Sequence, residues 1–118
     1  MLDIDTQWKN EKGFVEYDFT KPLTLDEKLK HSFDCVVIDP PFVTRDAWEK
    51  FAEAGNYLHK DGGVIICSSI AENEPMLKEL LNVHSVAFKP SIPHLIYQVC
   101  SFLFIYLYFS TLFLILLV

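Results

Sequence analysis

The sequence predicts an α/β domain built on a mostly parallel sheet, and three observations carry that expectation. Residues 33–39 (FDCVVID) and 64–69 (VIICSS) are almost wholly apolar, with no alternation of polar and apolar positions. Strands of that kind belong inside a sheet covered by helices on both faces. Between them, residues 44–58 carry apolar side chains at helical spacing. Strand and helix therefore alternate, which is how parallel sheets are built.

The elements follow in order. MLDID is a short apolar start ending in acids, and residues 13–19 (GFVEYDF) carry Phe14, Val15, Tyr17 and Phe19 in a strand-like pattern. Thr24 and Glu27 stand at capping-box spacing, which predicts a short helix over residues 25–30. In the next helix Ala47, Trp48, Phe51, Ala54 and Leu58 share one face, while Glu49, Lys50 and Glu53 lie away from it. Thr44 can cap its start, and Asp46 suits the first turn. Gly62 and Gly63 predict a turn into the second buried strand. Asn73 is the expected N-cap of a helix that tolerates Pro75 in its first turn. SVAFKP reads as a third strand closed by Pro90.

Composition narrows the function classes. The chain has 118 residues, enough for one small domain, and a formal net charge of −6. No basic stripe offsets that charge, so no nucleic-acid partner is expected. Cys35, Cys67 and Cys100 have no Cys-x-x-Cys spacing, so no structural zinc site is predicted. His31, His59, His84 and His94 show no ligand spacing and read as surface or loop residues. Cysteines inside apolar runs read as buried inert thiols, which fits a reduced cytoplasmic compartment. Trp8 and Trp48 read as packing residues, and Lys28 and Lys30 as a solvated face. No signal-peptide pattern opens the chain.

The chemistry concentrates at Asp39-Pro40-Pro41-Phe42, where the first buried strand stops. Sites in open parallel sheets form outside the carboxyl ends of strands. Asp39 can accept one N–H hydrogen bond, and the Pro40 carbonyl a second. Proline has no N–H, and its fixed φ stiffens the loop that presents the carbonyl. Phe42 can lie against a planar base or over an ammonium group. The set suits an amine held for methyl transfer, a reaction served mainly by positioning. The plainer alternative is a strand-ending turn with a capping acid.

Together with residues 16–42 (EYDFTKPLTLDEKLKHSFDCVVIDPPF), the segments YLHKDGGVIICSS and FKP resemble the eukaryotic elongation factor 1-alpha lysine methyltransferases. That family was formerly taken for N6-adenine DNA methyltransferases because of its Asp-Pro-Pro-aromatic motif. The resemblance covers roughly residues 1–90 and implies a class I, Rossmann-like sheet that uses S-adenosylmethionine. It implies that Asp39, Pro40, Pro41 and Phe42 hold the target amine. It further implies that Asp3, with Asp5 as competitor, meets the cofactor's ribose. Asp18 would meet the adenine amino group, with Phe19 beside the ring. The protein substrate implied is elongation factor 1-alpha, with the adenine of a nucleic acid as runner-up.

Two departures qualify the resemblance. The four glycines, Gly13, Gly55, Gly62 and Gly63, form no Gly-x-Gly loop, so the expectation is a truncated C-terminal portion, inactive alone. Residues 1–93 would be this partial methyltransferase domain. Residues 94–118 form an apolar tail, and from 95 onward it carries no charge. That run exceeds the ~20 residues a helix needs to span a bilayer. It reads either as a membrane anchor or as an alternative C-terminus with no selected role. Two readings therefore stand beside the enzyme: a non-catalytic truncated product that keeps the target pocket, and a tail-anchored membrane protein with a vestigial domain.

Overall fold

The computed structural model describes residues 1–41, 44–86 and 104–105. Two small sheets carry the strands. In the first, β1 (Leu2–Asp3) pairs in parallel with β2 (Val15–Glu16), Leu2 opposite Val15. In the second, β3 (Phe33–Ile38) pairs in parallel with β4 (His59–Cys67), and β4 pairs antiparallel with β5 (Phe104–Ile105). The helix α1 (Arg45–Leu58) connects β3 to β4, and α2 (Glu74–Leu81) follows β4. The predicted α/β class with parallel strands is what the chain forms.

The core lies where α1 packs on one face of β3 and β4, with α2 alongside it. Trp48, Leu77, Val83 and Cys67 are its fully buried large side chains. Small residues set the spacing: Ala52, Ala54 and Gly55 are buried on α1, and a β-carbon on Gly55 would collide with Ile38. The Phe51 ring is only partly buried and stacks on Phe19 at 4.9 Å, tying the segment after β2 to α1. Asn56 donates to the Leu80 carbonyl at 3.2 Å, and Arg45 bonds both Glu49 and Glu79. The bonds to Leu80 and Glu79 fasten α1 to α2.

Several expectations are corrected. The sequence of β3 predicts burial on both faces, yet among the described residues only the face toward α1 is covered. Val36 and Ile38 are buried, whereas Phe33, Cys35 and Val37 are exposed, Val37 by 67%. Its apolar sequence is thus not matched by a second layer among the described residues. The helix over residues 25–30 shrinks to a 3-10 turn at Glu27–Leu29. Asp26 caps it by accepting from the Lys28 amide, and Thr24 instead donates to the Lys21 carbonyl. A charged acceptor binds an orphan amide more strongly than a hydroxyl does.

Gly62 and Gly63 fall inside β4 and not between two elements. Phe33 faces His59 but Cys35 faces Val64, so residues 60–63 of β4 stand against Asp34 alone in β3. Gly62 has φ 77° in this bulge. Gly63 must be bare, because a β-carbon there would lie 2.7 Å from the Asp34 carbonyl oxygen. Trp8 is 44% exposed and stays outside the core, unlike Trp48. His59, expected on the surface or in a loop, is half-buried at the start of β4, with its Nε2 buried. The predicted strand SVAFKP extends past residue 86, and the tail carries only β5 among described residues. The rest of both lies outside the described residues. Among the described residues no helix is long and apolar enough to cross a membrane.

Candidate functional site

The site is built where β3 and β4 end side by side. Ile38 pairs with Cys67, the last residue of β4. One residue further, the Ser68 amide donates to the Ile38 carbonyl at 3.2 Å, so the ladder continues past the strands by one bond. That bond puts Ser68 beside Asp39. The Ser68 hydroxyl donates to Oδ1 of Asp39. The other carboxylate oxygen, Oδ2, has no partner among the described residues.

Pro40 fixes the backbone on the other side. A residue before proline is held to extended conformations, which restrains Asp39. Pro40 is half-buried, and its carbonyl takes no hydrogen bond from the described residues. Pro41 is exposed. Among the described residues, then, an open carboxylate oxygen and an open carbonyl stand on consecutive residues at the carboxyl end of a strand. Phe42, the fourth residue of the motif, lies outside the described residues.

The β4 side is fixed by its own bonds. Ser69 is buried, and its Oγ accepts from Asn73 Nδ2 at 3.0 Å. The Asn73 amide donates to the Ile70 carbonyl. The side chain expected to cap α2 therefore holds this loop and makes no cap bond to the helix. Ser68 and Ser69 divide between the site and its support. Sequence reasoning overlooked both, although SS directly after an apolar strand is the signal that could have found them.

Asp3, Asp18 and Phe19 lie on the other sheet and the segment that follows it. Oδ1 of Asp3 accepts from the Asp5 amide at 2.9 Å, leaving Oδ2 without a partner among the described residues. Both Asp5 oxygens bond Gln7, so Asp5 acts as the cap of the Thr6–Trp8 turn. Oδ1 of Asp18 accepts from the Thr20 amide at 3.0 Å and the Thr20 hydroxyl at 2.7 Å. Those two bonds, the hydroxyl's first, hold the Asp18 carboxyl below the usual range. Phe19 lies nearly parallel to Phe51, at an interplanar angle of 8°. The structure joins this segment to α1 through those rings. Among the described residues no hydrogen bond links Asp3 or Asp18 to Asp39.

No group of three metal-ligating side chains occurs among the described residues.

Comparison with known proteins adds a family and three relatives. Residues 1–111 match the family described as "Probable N6-adenine methyltransferase". The chain is 41% identical over 68 residues to EEF1A lysine methyltransferase 1 of Gallus gallus, covering 57% of this chain and 32% of that protein. It is 37% identical over 78 residues to EEF1A lysine methyltransferase 1 of Homo sapiens, covering 65% and 36%. It is 33% identical over 78 residues to Protein-lysine N-methyltransferase M142.8 of Caenorhabditis elegans, covering 65% and 35%. The aligned part of the chain spans about a third of the length of these curated relatives. No solved structure matches.

Proposed function

Because the chain belongs to the probable N6-adenine methyltransferase family, we propose that its Asp39 site receives the side-chain amine of a protein lysine for methylation. The observation that carries this reading is a pair of acceptors at the end of β3, Asp39 Oδ2 and the Pro40 carbonyl, that have no partner among the described residues. An amine presents N–H donors, and two acceptors on adjacent residues can take two of them and aim the nitrogen. The names of the relatives support lysine over adenine. So does the charge of −6, which repels a phosphate backbone. Elongation factor 1-alpha is the substrate that the two EEF1A lysine methyltransferase 1 names suggest, which would place the reaction in the cytoplasm.

The methyl donor of this reading is S-adenosylmethionine, which supplies an electrophilic methyl on sulfur when bound. Two carboxylates suit its nucleoside. Asp3 and Asp18 each spend one oxygen on the chain, and the other is fit to accept from a ribose hydroxyl or an adenine amino group. Phe19, next to Asp18 in the chain, would lie beside the base. Asp39 and Pro40 would orient the amine, and orientation alone can supply several kcal/mol of barrier lowering.

The test separates the two substrate readings without depending on turnover. The chain is titrated with n-butylamine, a lysine side-chain mimic, and with 9-methyladenine, while backbone amide shifts are followed by NMR. Shifts at Asp39 and Ser68 with butylamine alone, lost in Asp39→Ala, are the expected result. Shifts with 9-methyladenine alone would replace lysine by adenine as the substrate. A radiolabelled methyl assay at millimolar S-adenosylmethionine, with elongation factor 1-alpha as acceptor, then reads the reaction itself.

A further inference from the structure

An exposed carboxylate at a strand end has no fixed direction of its own. Asp39 is exposed, and two side-chain torsions would let its oxygens sweep the mouth of the site. Pro40 restrains only the backbone. The one described group that holds the side chain is Ser68, from a strand end 29 residues away in sequence. We propose that Ser68 is a positioning residue for Asp39: its hydroxyl binds Oδ1 and thereby presents Oδ2 to the substrate amine.

The geometry around Ser68 fits this role better than a merely local one. Its amide is fixed on the Ile38 carbonyl at 3.2 Å, so its Cα is set by the residue next to Asp39. Its neighbour Ser69 is held by Asn73, which restrains the loop from turning. The Ser68 hydroxyl therefore starts from a rigid base. A serine in that place has one O–H to donate, and it donates to the carboxylate. The bond also removes one of the two equivalent orientations the carboxylate could offer an amine. Fixing a rotor before binding leaves less entropy to lose when the substrate arrives.

The proposal rests on the reading that Asp39 receives an amine, and two measurements keep the two apart. The first is the Asp39 N–Cγ three-bond scalar coupling in the full chain, which reports the χ1 rotamer. It should indicate one rotamer in the wild type, an average in Ser68→Ala and one rotamer again in Ser68→Thr, which keeps the hydroxyl. The second is the affinity for n-butylamine, expected to fall roughly fivefold in Ser68→Ala, the effect of one hydrogen bond, and to return in Ser68→Thr. Thermal melting of each variant accompanies both, so that unfolding is not mistaken for loss of positioning. A single Asp39 rotamer in a folded Ser68→Ala, or unchanged amine affinity there, would overturn the proposal while leaving the lysine reading intact. Absence of any butylamine binding by the wild type would overturn both.

Discussion

A β-carbon on Gly55 would stand 2.7 Å from Cδ1 of Ile38, closer than real β-carbons come to their neighbours. The helix α1 therefore lies against β3 with a glycine at a point of close approach. Glycine inside a helix costs about 1 kcal/mol relative to alanine. Here it permits the contact that fixes the residue immediately before Asp39.

Gly55→Ala sets two effects against each other. Alanine regains about 1 kcal/mol of helix propensity, but overpacking typically costs ~1–3 kcal/mol. The colliding atom is the end of a flexible side chain, so part of the strain relaxes. A net loss of roughly 1 kcal/mol is expected by urea unfolding. Ile38→Val removes Cδ1, so the double variant should be more stable than the two single losses predict. Strict additivity would show that the two residues do not meet as described.

The thiols should differ sharply in reactivity. Cys35 is exposed on the uncovered face of β3, and Cys67 is buried at the end of β4. Burial pushes the Cys67 thiol up to about 12, so at pH 8 it is protonated as well as inaccessible. Partial desolvation also raises Cys35, though it remains within reach of reagent. In a Cys100→Ser background, maleimide at pH 8 should label Cys35 within minutes and Cys67 only after denaturation. Equal rates would contradict the burial of Cys67. The expectation from sequence that cysteines in apolar runs are buried thus holds for Cys67 in β4 and fails for Cys35 in β3.

Tyr17 gives the fold an alkaline limit. Its hydroxyl donates to the Pro22 carbonyl at 3.3 Å, and its ring is buried. Burial first, then the nearby Glu53 and Asp18 carboxylates, pushes the phenol from 10.0 up to about 12. An acid with a raised folded pKa binds its proton more tightly when folded. Its contribution is therefore complete below pH 10 and is lost as pH rises through about 12. Unfolding midpoints measured from pH 8 to 12 should fall above pH 10. In Tyr17→Phe that fall should be shallower, and stability at pH 8 lower by about 1 kcal/mol from the lost hydrogen bond. A parallel decline in both proteins would assign the alkaline sensitivity to other groups.

Periodicity made much of this fold legible. The apolar face of α1 contained Trp48, Ala54 and Leu58, all buried, and the run ending at Asp39 is a strand. What escaped depended on contacts between distant residues. Nothing local says that Ser68 will meet Asp39, because their proximity is set by the β3–β4 register. Nothing local says that Asn73 will turn from its helix to Ser69. Gly63 looked like a turn residue because glycine pairs usually are; only the Asp34 carbonyl beside it reveals the bulge. The cap of the Glu27–Leu29 turn was a local matter, yet misjudged: Thr24 had the right spacing, and Asp26 had the stronger acceptor.

The pairing of Ile38 with Cys67 gives the ladder a parity. Adjacent residues of a strand point to opposite sides, so Ser68 serves Asp39 while Ser69 is turned inward to Asn73. A slip by one residue would set Ser69 against the carboxylate, and the same slip would invert the buried and exposed sets of the strand. Val36 and Ile38 would exchange places with Cys35 and Val37. An odd misalignment therefore destroys core and site in one event. A chain that keeps the inward face of β3 inward therefore never sets Ser69 against its carboxylate.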